Sequence, residues 1–130
     1  MIQALAATLL VAHGLIHLIG FVVPWGIAEV EGFPNRTTVL GGAIALGDAG
    51  ARLVGAGWLA LAIGFVVAGA GASRAESRAL AATAGLALAS LVVCALGLPE
   101  AAAGFAVNVG ILMVLGWVVV SRGSAVGAPG

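Results

Sequence analysis

Two histidines, His13 and His17, stand four residues apart in the stretch VAHGLIHLIGF, residues 11–21, which holds no other ionisable group. On a helix that spacing sends both rings to one side, with Gly20 continuing the stripe. An imidazole can ligate a metal, carry a proton near neutrality, or hydrogen-bond across helices. Two histidines at i, i+4 can hold one zinc or copper ion from a single helix face, as in the helical H-E-x-x-H arrangement. Here the residues between them are Gly-Leu-Ile, without a glutamate, so the metalloprotease pattern is absent. A divalent metal on His13 and His17 is one expectation, with Asp48 or Cys94 as candidates to complete the set. Bis-His haem within one protomer is excluded, because two rings on one helix face cannot flank a single iron. Acid–base chemistry on an apolar substrate is another option, with His13, His17 and Asp48 as the candidate groups and Arg52 holding an anionic moiety. No Ser–His–Asp spacing, phosphate-binding glycine loop or activated nucleophile accompanies them, so a reaction is not specified.

Other polar groups fall at comparable depth. At 1.5 Å per residue, His13 and His17 lie roughly 16 and 22 Å from the terminal face of the bundle, Trp58 about 16 Å and Asn108 near 18 Å. Arg52 comes near 26 Å, with Asp48 about 6 Å further out. Asp48 and Arg52, acid before base at i, i+4, can form an intrahelical ion pair, and Gly47, Ala51 and Gly55 permit close helix approach. Arg52, Trp58 and Asn108 are candidate ligand contacts beside the histidines. Each has a plainer reading: imidazoles and Asn108 as interhelical hydrogen-bonding groups, Asp48–Arg52 as an interfacial anchor, and Cys94 with Ser90 as the filling of a small gap. Glu29, Glu31 and Glu100 read as solvated loop carboxylates.

The elements that must position these groups follow from composition. Of 130 residues, 62% are hydrophobic and 8% charged. A soluble domain carries about 25% charged residues, so this chain reads as an integral membrane protein. Five arginines balance five acids, with no lysine, which leaves no footprint for nucleic acid. The single Cys94 excludes an intrachain disulfide. Charge gaps predict four spans at about 2–23, 47–69, 79–98 and 101–120, within one domain of residues 1–121. The first stops at Pro24 and, lacking a basic leader, is read as a true span. Residues 24–38 form a polar connection and 72–78 a polar turn. Residues 39–46 are left as helical, interfacial or re-entrant. The Gly/Pro/Ser-rich stretch 122–130 is read as a flexible tail. The predicted fold class is all-α, an integral membrane bundle of four transmembrane helices.

With four spans, Arg74, Arg78 and Arg122 share a side with both termini, against Arg36 alone on the other. The bias of basic residues toward the inner side then puts both termini in the cytoplasm, with the chain in the plasma membrane. The stretch AHGLIHLIGF (12–21) resembles the first span of small, uncharacterised bacterial four-helix membrane proteins that begin H-G-x-x-H-x-x-G. Size and four-span plan are similar to the DoxX-like group. The resemblance implies the architecture and carries no activity. The leading expectation is an outward-opening intramembrane site on the His pair that binds a metal or a small apolar ligand and supports catalysis if it turns one over. The alternative is a structural or accessory subunit whose polar groups serve only helix pairing. Expected partners are membrane lipid and further copies of the chain or a larger membrane protein.

Overall fold

The computed structural model describes residues 1–71 and 77–126, and these form four helices and one small hairpin. The helices are α1 (Ile2–Val22), α2 (Gly47–Gly71), α3 (Ser77–Leu96) and α4 (Ala102–Val126). Each is long and apolar enough to cross a membrane, and in lipid a helix satisfies its own backbone groups without help from water. The expected all-α four-span bundle is what is found. Its helix ends lie within about two residues of expectation except in one place: α4 runs on to Val126 rather than stopping near residue 120, with Ser121 donating its hydroxyl back to the Trp117 carbonyl at 2.8 Å. Of the expected tail, residues 127–130 lie outside the described residues, as do 72–76 of the expected turn, including Arg74.

The burial pattern is inverted relative to a soluble protein. Leu5, Leu9, Leu53, Ile63, Val67 and Met113 face outward, whereas His13, His17, Thr83, Ser90 and Asn108 are buried. Lipid is as apolar as leucine, so side-chain burial alone gives little drive for helix association. Close backbone approach substitutes for it. On the antiparallel α1–α2 seam, a methyl group on Gly14 would fall 2.8 Å from the Ala62 carbonyl, and one on Gly69 would fall 2.9 Å from the Ala7 carbonyl. Gly55 faces the Gly20 carbonyl on the same seam, as its spacing predicted, but Gly47 packs against nothing. The helices follow one another around the bundle. The α1–α2 and α3–α4 pairs pack most extensively, and α1 and α4 approach only thinly.

Residues 39–46 are neither a helix nor a simple surface strip. Strands β1 (Thr38–Val39) and β2 (Ile44–Ala45) pair antiparallel, Thr38 opposite Ala45 and Val39 opposite Ile44. The tip between them holds Leu40, Gly41 and Gly42, all at positive φ, a conformation that costs glycine nothing and leucine about 1 kcal/mol or more. The tip is docked, which offsets that strain. Leu40 donates its N–H to the Leu96 carbonyl at 2.9 Å and Gly41 donates to the Leu98 carbonyl at 3.0 Å, satisfying acceptors that the end of α3 leaves open. With Trp25, whose indole donates to the Arg52 carbonyl at 3.1 Å, the 23–46 segment straps the end of the bundle opposite the termini.

Candidate functional site

The two imidazoles lie where α1 meets α2. Their centroids are 4.5 Å apart with planes at 80°, so they do share a face. Phe65 and Trp58, two turns apart on α2, pack against them: Phe65 edge-on to His13 at 4.8 Å, Trp58 tilted against His17 at 5.0 Å. Trp58 itself lies over Gly20, where an added methyl would come within 2.4 Å of the indole. The glycine in the histidine stripe is therefore the gap that admits the tryptophan.

Hydrogen-bond geometry fixes the protons of this cluster. A carbonyl can only accept, so the Asn108 atom 2.9 Å from the Gly104 carbonyl is its Nδ2. Its Oδ1 then faces His13, and His13 must donate from Nε2 at 3.2 Å. Likewise His17 Nδ1 lies 2.8 Å from the His13 carbonyl and must donate to it. A neutral His17 then accepts at Nε2, taking the Ser90 hydroxyl proton at 2.6 Å. The Ser90 oxygen accepts in turn from Asn108 Nδ2 at 2.7 Å. One arrangement of protons satisfies every bond with both rings uncharged. Ser90, Cys94 and Asn108 are fully buried. Ser90 and Cys94 therefore do more than fill a gap: Ser90 joins His17 to Asn108, and the Cys94 sulfur lies 3.8 Å from Asn108 Nδ2. Sequence reasoning left Ser90 as a gap-filling residue because an isolated serine in a span is common and cheap to accommodate.

Above the rings is a cavity of about 190 Å³, running from His13, His17 and Trp58 toward the strap. Its wall is mostly apolar. At the mouth Arg36 and Glu100 form an ion pair at 2.8 Å, Arg36 half exposed and Glu100 largely covered. Glu100 is thus not the solvated loop carboxylate its sequence context suggested. Ile16 on α1 and Ala103 on α4 both line the cavity and both face the exterior of the bundle. The space therefore opens sideways through the thin α1–α4 seam.

Of the residues singled out by sequence, His13, His17 and Trp58 line the cavity and Asn108 stands directly behind it. Asp48 and Arg52 do not join. Both are exposed in the first two turns of α2, neither borders the cavity, and they form no ion pair with each other. The helix begins at Gly47, so Asp48 meets the positive end of its dipole and has no need of the arginine. Among the described residues the ion pair is Arg36–Glu100, made by residues 64 apart and invisible to local spacing.

The donor set bears on the metal expectation. Both nitrogens of His17 and Nε2 of His13 are engaged in hydrogen bonds, which leaves His13 Nδ1 as the ring nitrogen without a partner. Among the described residues no three His, Cys, Asp or Glu side chains gather to hold an ion. In this arrangement the pair does not assemble a chelating site. Nucleophilic chemistry at Ser90 meets a similar obstacle: its oxygen is enclosed, already accepts one bond, and does not border the cavity. In comparisons with known proteins, the chain matches no family model, no curated protein and no solved structure.

Proposed function

We propose that this chain is a membrane-embedded binding protein that admits a small, mainly apolar molecule from the bilayer into the cavity above His13 and His17. The observation that carries the reading is the cavity itself, mostly apolar, opening between α1 and α4, and floored by two imidazoles. Binding pockets for small molecules have this character: apolar walls with a few fixed polar groups that set orientation. Polar groups at membrane depth are expensive, and they default to a functional reading when they border open space. In this reading Asn108 and Ser90 position the imidazoles, Trp58 and Ile16 form the apolar wall, and the Arg36–Glu100 pair closes the mouth. In this reading the arginine bias, Arg74, Arg78 and Arg122 on the side of the termini against Arg36 and Arg52 at the strap end, supports cytoplasmic termini with the mouth at the outer face of the plasma membrane.

The test is the small-molecule content of purified protein. Organic extraction and mass spectrometry should find a near-stoichiometric molecule in the wild type that is lost from Ala103→Phe, which obstructs the side opening without touching the polar cluster. Identical extracts from the two proteins would reject the reading.

A second reading has one observation in its favour. Only 6% of the α4 span is buried within the chain, so an accessory role, with α4 seated on another copy or a larger membrane partner, would give that helix the contact it lacks. It predicts a defined oligomer in mild detergent, which dissociates on bulky substitution at Gly110 or Gly116, and no extracted molecule that responds to Ala103→Phe.

A further inference from the structure

The proton arrangement of the buried cluster constrains what the cavity can hold. Asn108 is oriented by the Gly104 carbonyl, and this forces His13 to carry its proton on Nε2. A neutral imidazole has one proton, so Nδ1 of His13 is left with a lone pair and no donor. Every enclosed side-chain nitrogen or oxygen among the described residues has a partner. Nδ1 of His13 has none, so it is not fully enclosed, and His13 is among the residues that line the cavity. We take that nitrogen to face the cavity, so that the floor presents an acceptor.

Size and charge narrow the class further. A cavity of about 150 Å³ in a protein core accommodates benzene, so about 190 Å³ suits one ring with a small substituent. Aromatic residues His17, Trp58 and Phe33 on the wall favour a flat ring. The Arg36–Glu100 charges neutralise each other at the mouth, and the described lining holds no other charged residue. An ionised ligand would have no counter-charge here, a costly situation at membrane depth.

We infer that the site is selective for a neutral, ring-sized molecule bearing a hydroxyl or N–H group, of the phenol or cyclic-alcohol class, which it donates to Nδ1 of His13. The inference rests on the cavity being a ligand site, and it adds the direction of the hydrogen bond. A matching ligand pairs the buried acceptor. An ether or ketone of the same shape sets lone pair against lone pair. Asn108 is a positioning residue in this scheme, since it acts only by fixing the proton on Nε2.

The experiment is calorimetric titration of the detergent-solubilised full chain with phenol against anisole, and cyclohexanol against cyclohexanone, each corrected for partition into empty micelles. The hydroxyl compounds should bind about tenfold tighter than their partners, the equivalent of ~1.4 kcal/mol for a buried acceptor left unpaired. In His13→Phe, which keeps a ring at that wall, the preference should fall to near unity while anisole still binds. If His13→Phe fails to assemble, nitrogen NMR of the wild type replaces it: phenol should move the His13 Nδ1 signal and anisole should not. Equal binding of both members of each pair, with loss of both in Ala103→Phe, overturns the donor rule and leaves the cavity as a ligand site. A preference that persists without the imidazole, or an Nδ1 signal unmoved by bound phenol, also overturns it. Absence of binding by all four compounds overturns this inference. Only unchanged extracts between wild type and Ala103→Phe overturn the ligand site as well.

Discussion

Replacing Asn108 by leucine should both loosen the bundle and unset the histidine it orients. The side chain is fully buried and joins three helices, accepting from His13 on α1 at 3.2 Å and donating to Ser90 on α3 at 2.7 Å, from its own place on α4. Leucine keeps the branched shape but puts larger methyl groups where the oxygen and nitrogen now stand 3.2 and 2.7 Å from their partners, so the change removes hydrogen bonds and adds some crowding. Interhelical hydrogen bonds in membranes average about 0.6 kcal/mol and reach about 1.7. Loss of the His13 and Ser90 bonds therefore costs between about 1 and 3 kcal/mol. The upper part of that range applies if His13 keeps its proton on Nε2, where it would be buried without an acceptor. The ring has an escape, because the proton can move to Nδ1, and that exchange limits the loss toward the lower figure. Two measurements separate the contributions. Unfolding by sodium dodecyl sulfate in mixed micelles, followed by helix content, reads the stability change. Nitrogen NMR of labelled histidine reads the tautomer, which should be Nε2–H in the wild type and redistributed toward Nδ1–H in Asn108→Leu. A variant that loses less than about 0.5 kcal/mol and keeps the wild-type tautomer would refute the assignment of protons on which the selectivity argument depends.

Three further outcomes follow from the same geometry. Gly20→Ala places a methyl group within 2.4 Å of Trp58, so the indole must shift; we expect a loss of ~1–3 kcal/mol from overpacking and reduced ligand binding by calorimetry. Arg36→Gln or Glu100→Gln should cost at most about 1 kcal/mol, since Arg36 is half exposed, yet speed ligand exchange measured by NMR line shape, and the exchanged pair Arg36→Glu/Glu100→Arg should slow it again. Asp48→Ala and Arg52→Ala, alone or together, should leave ligand binding unchanged in the same titration, because neither residue borders the cavity.

The spans were legible because lipid imposes a length and forbids charge. Expected and observed helix boundaries agree to a few residues except at the end of α4. There two serines, an arginine and a glycine suggested chain release, whereas the helix continues. The polar cluster was half legible. Histidine and asparagine in a span are conspicuous, so His13, His17 and Asn108 could be named from composition alone. Ser90 could not, since its part depends on α3 presenting it to His17 across 73 residues of sequence. Local spacing misled at Asp48 and Arg52: the i, i+4 rule says that two side chains can meet, but solvent at a helix end leaves them no reason to. Arg36 and Glu100 illustrate the converse, since only the strap brings them together. A signal for that strap was present in the Gly41–Gly42 pair between β-branched residues, a hairpin pattern obscured by its position in a long apolar run.

The buried cluster also bears on the choice between the proposed site and simple helix pairing. Close packing associates helices in lipid and directional bonds among α1, α3 and α4 add to it, so some polar network is expected on structural grounds alone. A network serving only that purpose gains from closing on itself, because each unmatched polar atom in the membrane is a cost. Here the circuit through His17, Ser90 and Asn108 is closed, and the protons of every bond are determined by fixed carbonyls at Gly104 and His13. What it leaves over is one acceptor, on the imidazole that borders the cavity. Helix pairing has no use for that lone pair or for a gap between α1 and α4. A ligand that brings its own donor would satisfy the first by filling the second.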